Sequence, residues 1–250
     1  MSSLKYFIVV FLIISYTNVS SQDNKWVKIE YTQAMGRHIT NASLFFDNNE
    51  SIYLFGNHTK IDTTSYTNLI YNITDDIGSV IYKNHSENKL LTREASATEV
   101  KLINDDFPNL NWTITEETKK INELSLTKAH TNFRGRNYIA WYCDQIPVNN
   151  GPLKMGGLPG IILELKTTDG FLNVSFDKIN YQHTKPVVIH RILNKYDRII
   201  TQKQSVEENK QFVENLKAKL KAKLPRDVEI KINVDEFLEK EFKLENEKQN

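Results

Sequence analysis

The chain is poorest in the residues that staple or punctuate a small fold: of 250 residues, one is Cys, 9 are Gly and 6 are Pro. The lone Cys143 excludes an intramolecular disulfide framework and any Cys-rich zinc module. Neither sign of charge dominates, with 32 Lys and Arg against 31 Asp and Glu. That balance removes the electrostatic case for nucleic acid or an anionic membrane surface as the main partner. The histidines His38, His58, His85, His130, His183 and His190 stand singly, without His-x-x-x-His or His-Glu-x-x-His spacing, so no metal site is expected. A Gly-x-Ser-x-Gly elbow is missing, and the Gly-dense Gly156 to Gly160 lacks both the Gly-Lys-Ser/Thr ending of a P-loop and dinucleotide spacing. No cofactor and no catalytic residue are therefore assigned.

Long apolar runs are also missing after the first residues. Tyr6 to Ile14 follows Lys5 and is too short to span a bilayer, which takes about 20 apolar residues. Its length, its basic flank and the Val19 and Ser21 positions predict a signal peptide over 1–21 with a mature start at Gln22. No Cys stands at that cleavage point, which excludes a lipid anchor there, and losing Lys5 leaves the mature chain neutral.

What is present from Trp26 to about Leu193 is mostly strand periodicity. WVKIEYT, SIYLFG, NLIYNI, GSVIYK, WTITEETKKI, RNYIAWYCDQI, GIILELKTT, FLNVSFDKINY and PVVIHRIL alternate or run short, apolar and β-branched. Breaks fall at Asp47-Asn48-Asn49, at Asp75 to Gly78 and at Thr168-Asp169-Gly170-Phe171. Asp169-Gly170 is the strongest hairpin signal and predicts a type I′ turn. Close turns between short strands predict an antiparallel sheet. After Ile200 the period changes: Val206 to Leu224 places Phe212, Leu216, Leu220 and Leu224 on one side of a helix, opened by Glu207 and Glu208 and stopped by Pro225. The expected fold is mainly β, of the α+β kind: one curved antiparallel sheet over 22–200 with a C-terminal amphipathic helix packed on it. Residues 201–250 supply the helical segment and a polar tail. A helix that covers the concave face only in part leaves an apolar groove for a small ligand or an extended peptide.

Four of the 9 Gly and two of the 6 Pro lie between Gly151 and Gly160. Pro holds φ near −65° and Gly permits positive φ, so this connection between two strands is rigid. Two readings follow: a structural corner that sets strand register, or a preformed recognition surface made of Arg136, Tyr138, Trp141, Gly157, Leu158, Pro159 and Gly160.

The same stretch resembles the GLPGLI family, secreted proteins of the Bacteroidota. The residues that carry the likeness are Trp112 to Thr115, Thr118 to Ile121, Lys128-Ala129, Phe133 to Arg136, Ala140 to Tyr142, Ile146 to Pro152 and Gly157 to Leu163. Leu126 stands where family members commonly carry Cys, and Cys143 where they carry Thr or a similar residue. The resemblance implies a cell-envelope protein, periplasmic or outer-membrane-associated, and brings no activity or catalytic residue with it.

Three functions fit these features. The first is a non-enzymatic β-rich module that binds an apolar ligand or peptide. The second is an accessory to an outer-membrane receptor or transporter component, engaged through an edge strand. The alternative is a hydrolase or peptide-processing enzyme that gathers His130, Asp144, Glu164 and His183 in space. Cys143 reads as a small core residue.

Overall fold

The computed structural model describes residues 26–56, 78–95, 99–186, 194, 196–222 and 239. The expected signal peptide, the strand-like 68–73, most of 186–193, the 75–77 break, Leu224, Pro225 and nearly all of the polar tail lie outside the described residues.

The first half of the sheet is a meander of six strands: β1 (Trp26–Met35), β2 (His38–Phe46), β3 (Glu50–Phe55), β4 (Ser79–Asn84), β5 (Lys89–Ala95) and β6 (Val100–Asp105). The second is a meander of five: β7 (Thr113–Ile121), β8 (Leu124–Phe133), β9 (Arg136–Cys143), β10 (Ile161–Thr167) and β11 (Leu172–His183). Then come β12 (Arg198–Thr201) and the helix α1 (Gln202–Lys221). The strands form one sheet in the order β12-β6-β5-β4-β3-β2-β1-β11-β10-β9-β8-β7. The two meanders are joined where β1 pairs with β11, and every pairing is antiparallel except β12 with β6. The expected class therefore holds: mainly β, one curved sheet, one C-terminal helix.

Period-two alternation decides which residues face inward. Across the first meander, Leu44, Tyr53, Ile81, Thr92 and Ile103 form one cross-strand row, while Phe45, Ile52, Tyr82 and Leu91 form the row on the opposite face. Leu44, Tyr53 and Ile81 of the first row belong with Ile29, Tyr31, Leu126, Tyr138, Leu163 and Leu165 to the main core. The second belongs with Trp26, Val80 and Leu102 to a smaller core on the other face.

The sheet is rolled. β8 and β6 are nine positions apart in the strand order, which on a flat sheet would separate them by roughly 40 Å. Arg134, in the turn after β8, nevertheless grips Asp105, at the end of β6, through two hydrogen bonds of 2.7 Å. Its edges, β7 and β12, are not paired to each other, so side chains close the roll where backbone pairing does not.

Local chemistry sets the turns. Arg134 and Gly135, alone between β8 and β9, both have positive φ (45° and 81°), the requirement of a type I′ turn. The predicted Asp169-Gly170 hairpin does join β10 to β11, but through four residues in which only Gly170 has positive φ. Thr167 accounts for the difference: its carbonyl accepts from Gly170 N and its hydroxyl accepts from Leu172 N, which widens the loop beyond a two-residue turn.

The helix begins four residues earlier than its apolar period suggests. Thr201 and Gln204 form a capping box, each side chain accepting from the other's backbone N–H. Its buried face is Gln202, Ser205, Val206 and Val213, whereas Phe212, placed on the inward stripe by the sequence, is 45% exposed. The reason is its neighbours: α1 packs on β12 and β6 at one edge of the sheet, not across the concave face. Among the described residues no helix is long and apolar enough to cross a membrane.

Candidate functional site

The connection between β9 and β10, residues 144–160, fills the inside of the roll. Its backbone is folded on itself: Ile161 N donates to Ile146 O, Ile162 N to Asn150 O and Met155 N to Pro152 O, at 3.0, 3.0 and 3.1 Å. The glycines are required by close packing. A Cβ on Gly160 would overlap the Cys143 carbonyl oxygen and stand 2.8 Å from Asp144 Cα, and one on Gly151 would lie 2.8 Å from Ile162 Cβ. Gly157 has φ +83° and sits beneath Trp112, whose indole N–H donates to Gly156 O at 2.7 Å. Such closeness brings Leu153, Met155 and Leu158 into the main core, each at 3% exposure or less. Burial of such side chains stabilises by roughly 1.5–3 kcal/mol each.

Two lysines fasten this plug to the first meander. Lys83, in β4, is 3% exposed and donates to Asn150 Oδ1, Gly151 O and Met155 O at 3.0, 3.1 and 2.9 Å. Three ammonium protons meet three neutral oxygens, and burial lowers the Lys83 pKa from 10.5 to about 7. Lys154, within the plug, donates to Asp105 Oδ2 at 2.8 Å, Gln202 Oε1 at 3.0 Å and Glu239 Oε1 at 2.6 Å. Tyr31 adds a third tie, its hydroxyl donating to Ile162 O at 3.0 Å. Burial pushes the Tyr31 and Tyr138 hydroxyls above the usual tyrosine range.

The seven residues singled out by the sequence do not share one surface. Arg136 and Tyr138 point inward on β9 at 2% and 1% exposure. Arg136 pairs with Asp169 and lies 4.0 Å from the centroid of the Phe171 ring, tying β9 to the β10–β11 turn. Leu158 and Gly160 are buried, while Gly157 and Pro159 reach solvent. Trp141 is on the opposite face of β9, half-buried beneath Lys119, which in turn pairs with Glu164. The segment as placed is a corner turned inward, with a small exposed crest.

The residues of the enzymatic alternative are likewise apart. Glu164 is held by Lys119, the His183 ring contacts the Thr184 carbonyl at 2.7 Å, and His130 and Asp144 are exposed. Among the described residues no hydrogen bond joins any two of the four, and no three His, Cys, Asp or Glu side chains gather as metal ligands. Cys143 is buried with Sγ 3.8 Å from Gln145 Oε1, and burial pushes the thiol above its ordinary 9.0, which suits a packing role. Lys28, Glu30, Lys178, Ile179, Tyr181 and His183 line an open depression of about 580 Å³ where β1 and β11 slip register.

Sequence reasoning missed Lys83, Lys154 and Asp105. Lys154 carries a weak signal, standing between Leu153 and Met155 in the Gly-Pro segment.

Comparisons with known proteins bear on the same segment. A family model described as a protein of unknown function (Porph_ging) matches residues 133–164, which span the type I′ turn, β9, the plug and the start of β10. No curated protein matches the sequence. Solved structures of PNGF-II in the C2 and P21 space groups are similar with a TM-score of 0.50 and 16% identity. The alignments cover 70% and 71% of this chain, which spans 31% of that one. At such identity the likeness concerns the fold alone.

Proposed function

We propose that the chain is a GLPGLI-family protein of the bacterial cell envelope, exported by its first 21 residues, which acts as a binding or accessory module and meets its partner on its outside. The observation behind this reading is that the inner face of the roll, where a carrier would hold an apolar ligand, is taken by Leu153, Met155 and Leu158 of the chain itself. What is left for recognition is exterior surface, and above all the edge strand β7. It offers nine residues, mostly exposed, and among the described residues no strand pairs with its outer side. The other edge, β12, has four residues and lies against α1. Glu116, Glu117, Lys119 and Lys120 along β7 discourage indiscriminate strand pairing and leave room for a partner of complementary charge.

The partner in this reading is an extended segment of an outer-membrane receptor or transporter component, added as a strand to β7. Co-purification from intact envelope tests it, with a Glu116→Pro variant as control. Glu116 lies in the stretch between Ile114 and Thr118 where β7 leaves its register with β8, a position at which proline is tolerated. The expected result is one stoichiometric partner with the wild-type chain, lost in Glu116→Pro while the far-ultraviolet spectrum and melting point are kept. A chain that isolates alone, or a partner that stays on the blocked edge, overturns the reading.

A further inference from the structure

The edge strand β7 carries a charge order that reads the same in reverse with the signs exchanged. Around Thr118 the chain runs Glu116-Glu117-Thr118-Lys119-Lys120, two acids before the centre and two bases after it. When two copies of β7 lie side by side and antiparallel, with Thr118 opposite Thr118, Glu116 meets Lys120 and Glu117 meets Lys119, and the two-fold symmetry makes each pair occur twice. A slip of one residue in either direction keeps only half of these pairs. Parallel pairing in register sets Glu against Glu and Lys against Lys, which is destabilising. Charge alone therefore singles out one direction and one register.

Backbone geometry suits the same axis. Asn122 and Glu123 alone join β7 to β8, with Asn122 at φ +53°. The residues flanking a two-residue turn bond to each other, so Ile121 and Lys119 direct their backbone groups to β8, and Thr118 and Lys120 direct theirs outward. An axis at Thr118 thus falls on an outward-facing residue, the condition for a pair that exchanges both N–H···O bonds. Between Ile114 and Thr118 the strand leaves its register with β8, yet these two lie opposite Ala129 and Thr127, which are two residues apart. Alternation is therefore the same on both sides of the irregularity, and Glu116 shares a face with Thr118 and Lys120. Among the described residues no strand pairs with the outer side of β7.

The two faces of the strand differ in what already holds their charges. Glu117 accepts from Lys128 Nζ at 2.8 and 2.9 Å, and Lys119 pairs with Glu164. Glu116 and Lys120 are exposed, and among the described residues neither has an ion-pair partner. A second β7 in the register set by Thr118 supplies one for each. We propose that β7 is a homodimerisation edge: two copies of the chain add strand to strand, antiparallel about Thr118, and continue one sheet into the other. This rests on the same reading of β7 as a site of strand addition, and it names what fills the edge when no envelope partner is on it. The dimer is then the capped state, from which such a partner displaces one copy.

Sedimentation velocity of the purified chain over a concentration series tests it. Wild type should dimerise reversibly. Glu116→Lys sets Lys opposite Lys, and Lys120→Glu sets Glu opposite Glu, twice in each dimer, so either variant alone should dimerise roughly tenfold more weakly. Mixed one to one, the two variants recover both opposite-charge contacts and should form a heterodimer with the affinity of wild type. That recovery is a readout that a folding defect in either variant cannot produce. A monomeric wild type, variants that dimerise as wild type does, or a mixture that associates no more tightly than either variant alone overturns the proposal. Glu116→Pro should be monomeric, and a dimer that survives it uses another surface and counts equally against the proposal. All of these outcomes are read from the purified chain, so they stand apart from success or failure of the co-purification from envelope.

Discussion

Replacing Lys83 by glutamine should flatten the pH dependence of stability between about pH 7 and about pH 9. In the folded chain burial holds the ammonium's pKa at about 7, against 10.5 ordinarily. Between those values the unfolded chain carries the proton and the folded chain has released it, so stability rises with pH. The gain is complete above 10.5, is lost as pH falls toward 7, and changes little below that. The full shift corresponds to about 5 kcal/mol, of which roughly 2 kcal/mol falls between about pH 7 and about pH 9. At 3% exposure the group is not screened by solvent. Tyr31 and Tyr53, raised by burial, and Cys143, raised likewise, act in the opposite sense, but only as pH passes their ordinary values of 10.0 and 9.0. Urea unfolding of wild type and Lys83→Gln across this window measures the difference directly. Glutamine keeps two N–H donors for Asn150, Gly151 and Met155, so the variant should lose stability at every pH while losing the slope. Parallel curves for the two proteins would refute the assignment to β4 of a desolvated ammonium held by three neutral oxygens.

Gly160→Ala should destabilise by about 3 kcal/mol or more, because the added methyl meets the Cys143 carbonyl and Asp144 Cα, which are backbone and cannot rotate away; a loss under about 1 kcal/mol in urea would contradict this packing. On α1, Val213→Ala should cost about 1–2 kcal/mol and Phe212→Ser no more than about 0.5 kcal/mol, read from thermal melts. The reverse order would restore the stripe expected from the sequence.

The strands were legible because alternation is local. WVKIEYT and RNYIAWYC alternate in sequence and in burial along β1 and β9, while GSVIYK is a short apolar run that is buried on both sides. Closure was not legible, since it depends on Arg134 meeting Asp105 across 29 residues and nine strand positions, which no local pattern encodes. The interior place of 144–160 was hidden for a related reason. Gly and Pro in such density read as surface loop, yet here the glycines allow backbone to pass Cys143 and Ile162 at close range. Lys83 and Lys154 look like solvated charges in the sequence, and only the acceptors folded around them show otherwise. The helix start was legible in Thr201-Gln-Lys-Gln204, a capping box, but the apolar stripe drew attention further along. The candidate site was legible as a segment and not as a geometry: the stretch is singular, but which of its residues face solvent depends on the roll.

Hydrogen exchange of the backbone amides of Met155, Ile161 and Ile162 tests the internal plug most directly. These groups donate to Pro152, Ile146 and Asn150 carbonyls within the roll. If the connection fills the sheet as described, they should exchange only on global unfolding, with the same free energy as the central amides of β1 and β10. Exchange at the rate of an exposed loop, while the central amides of β1 and those of β10 beyond Ile162 stay protected, would contradict the account.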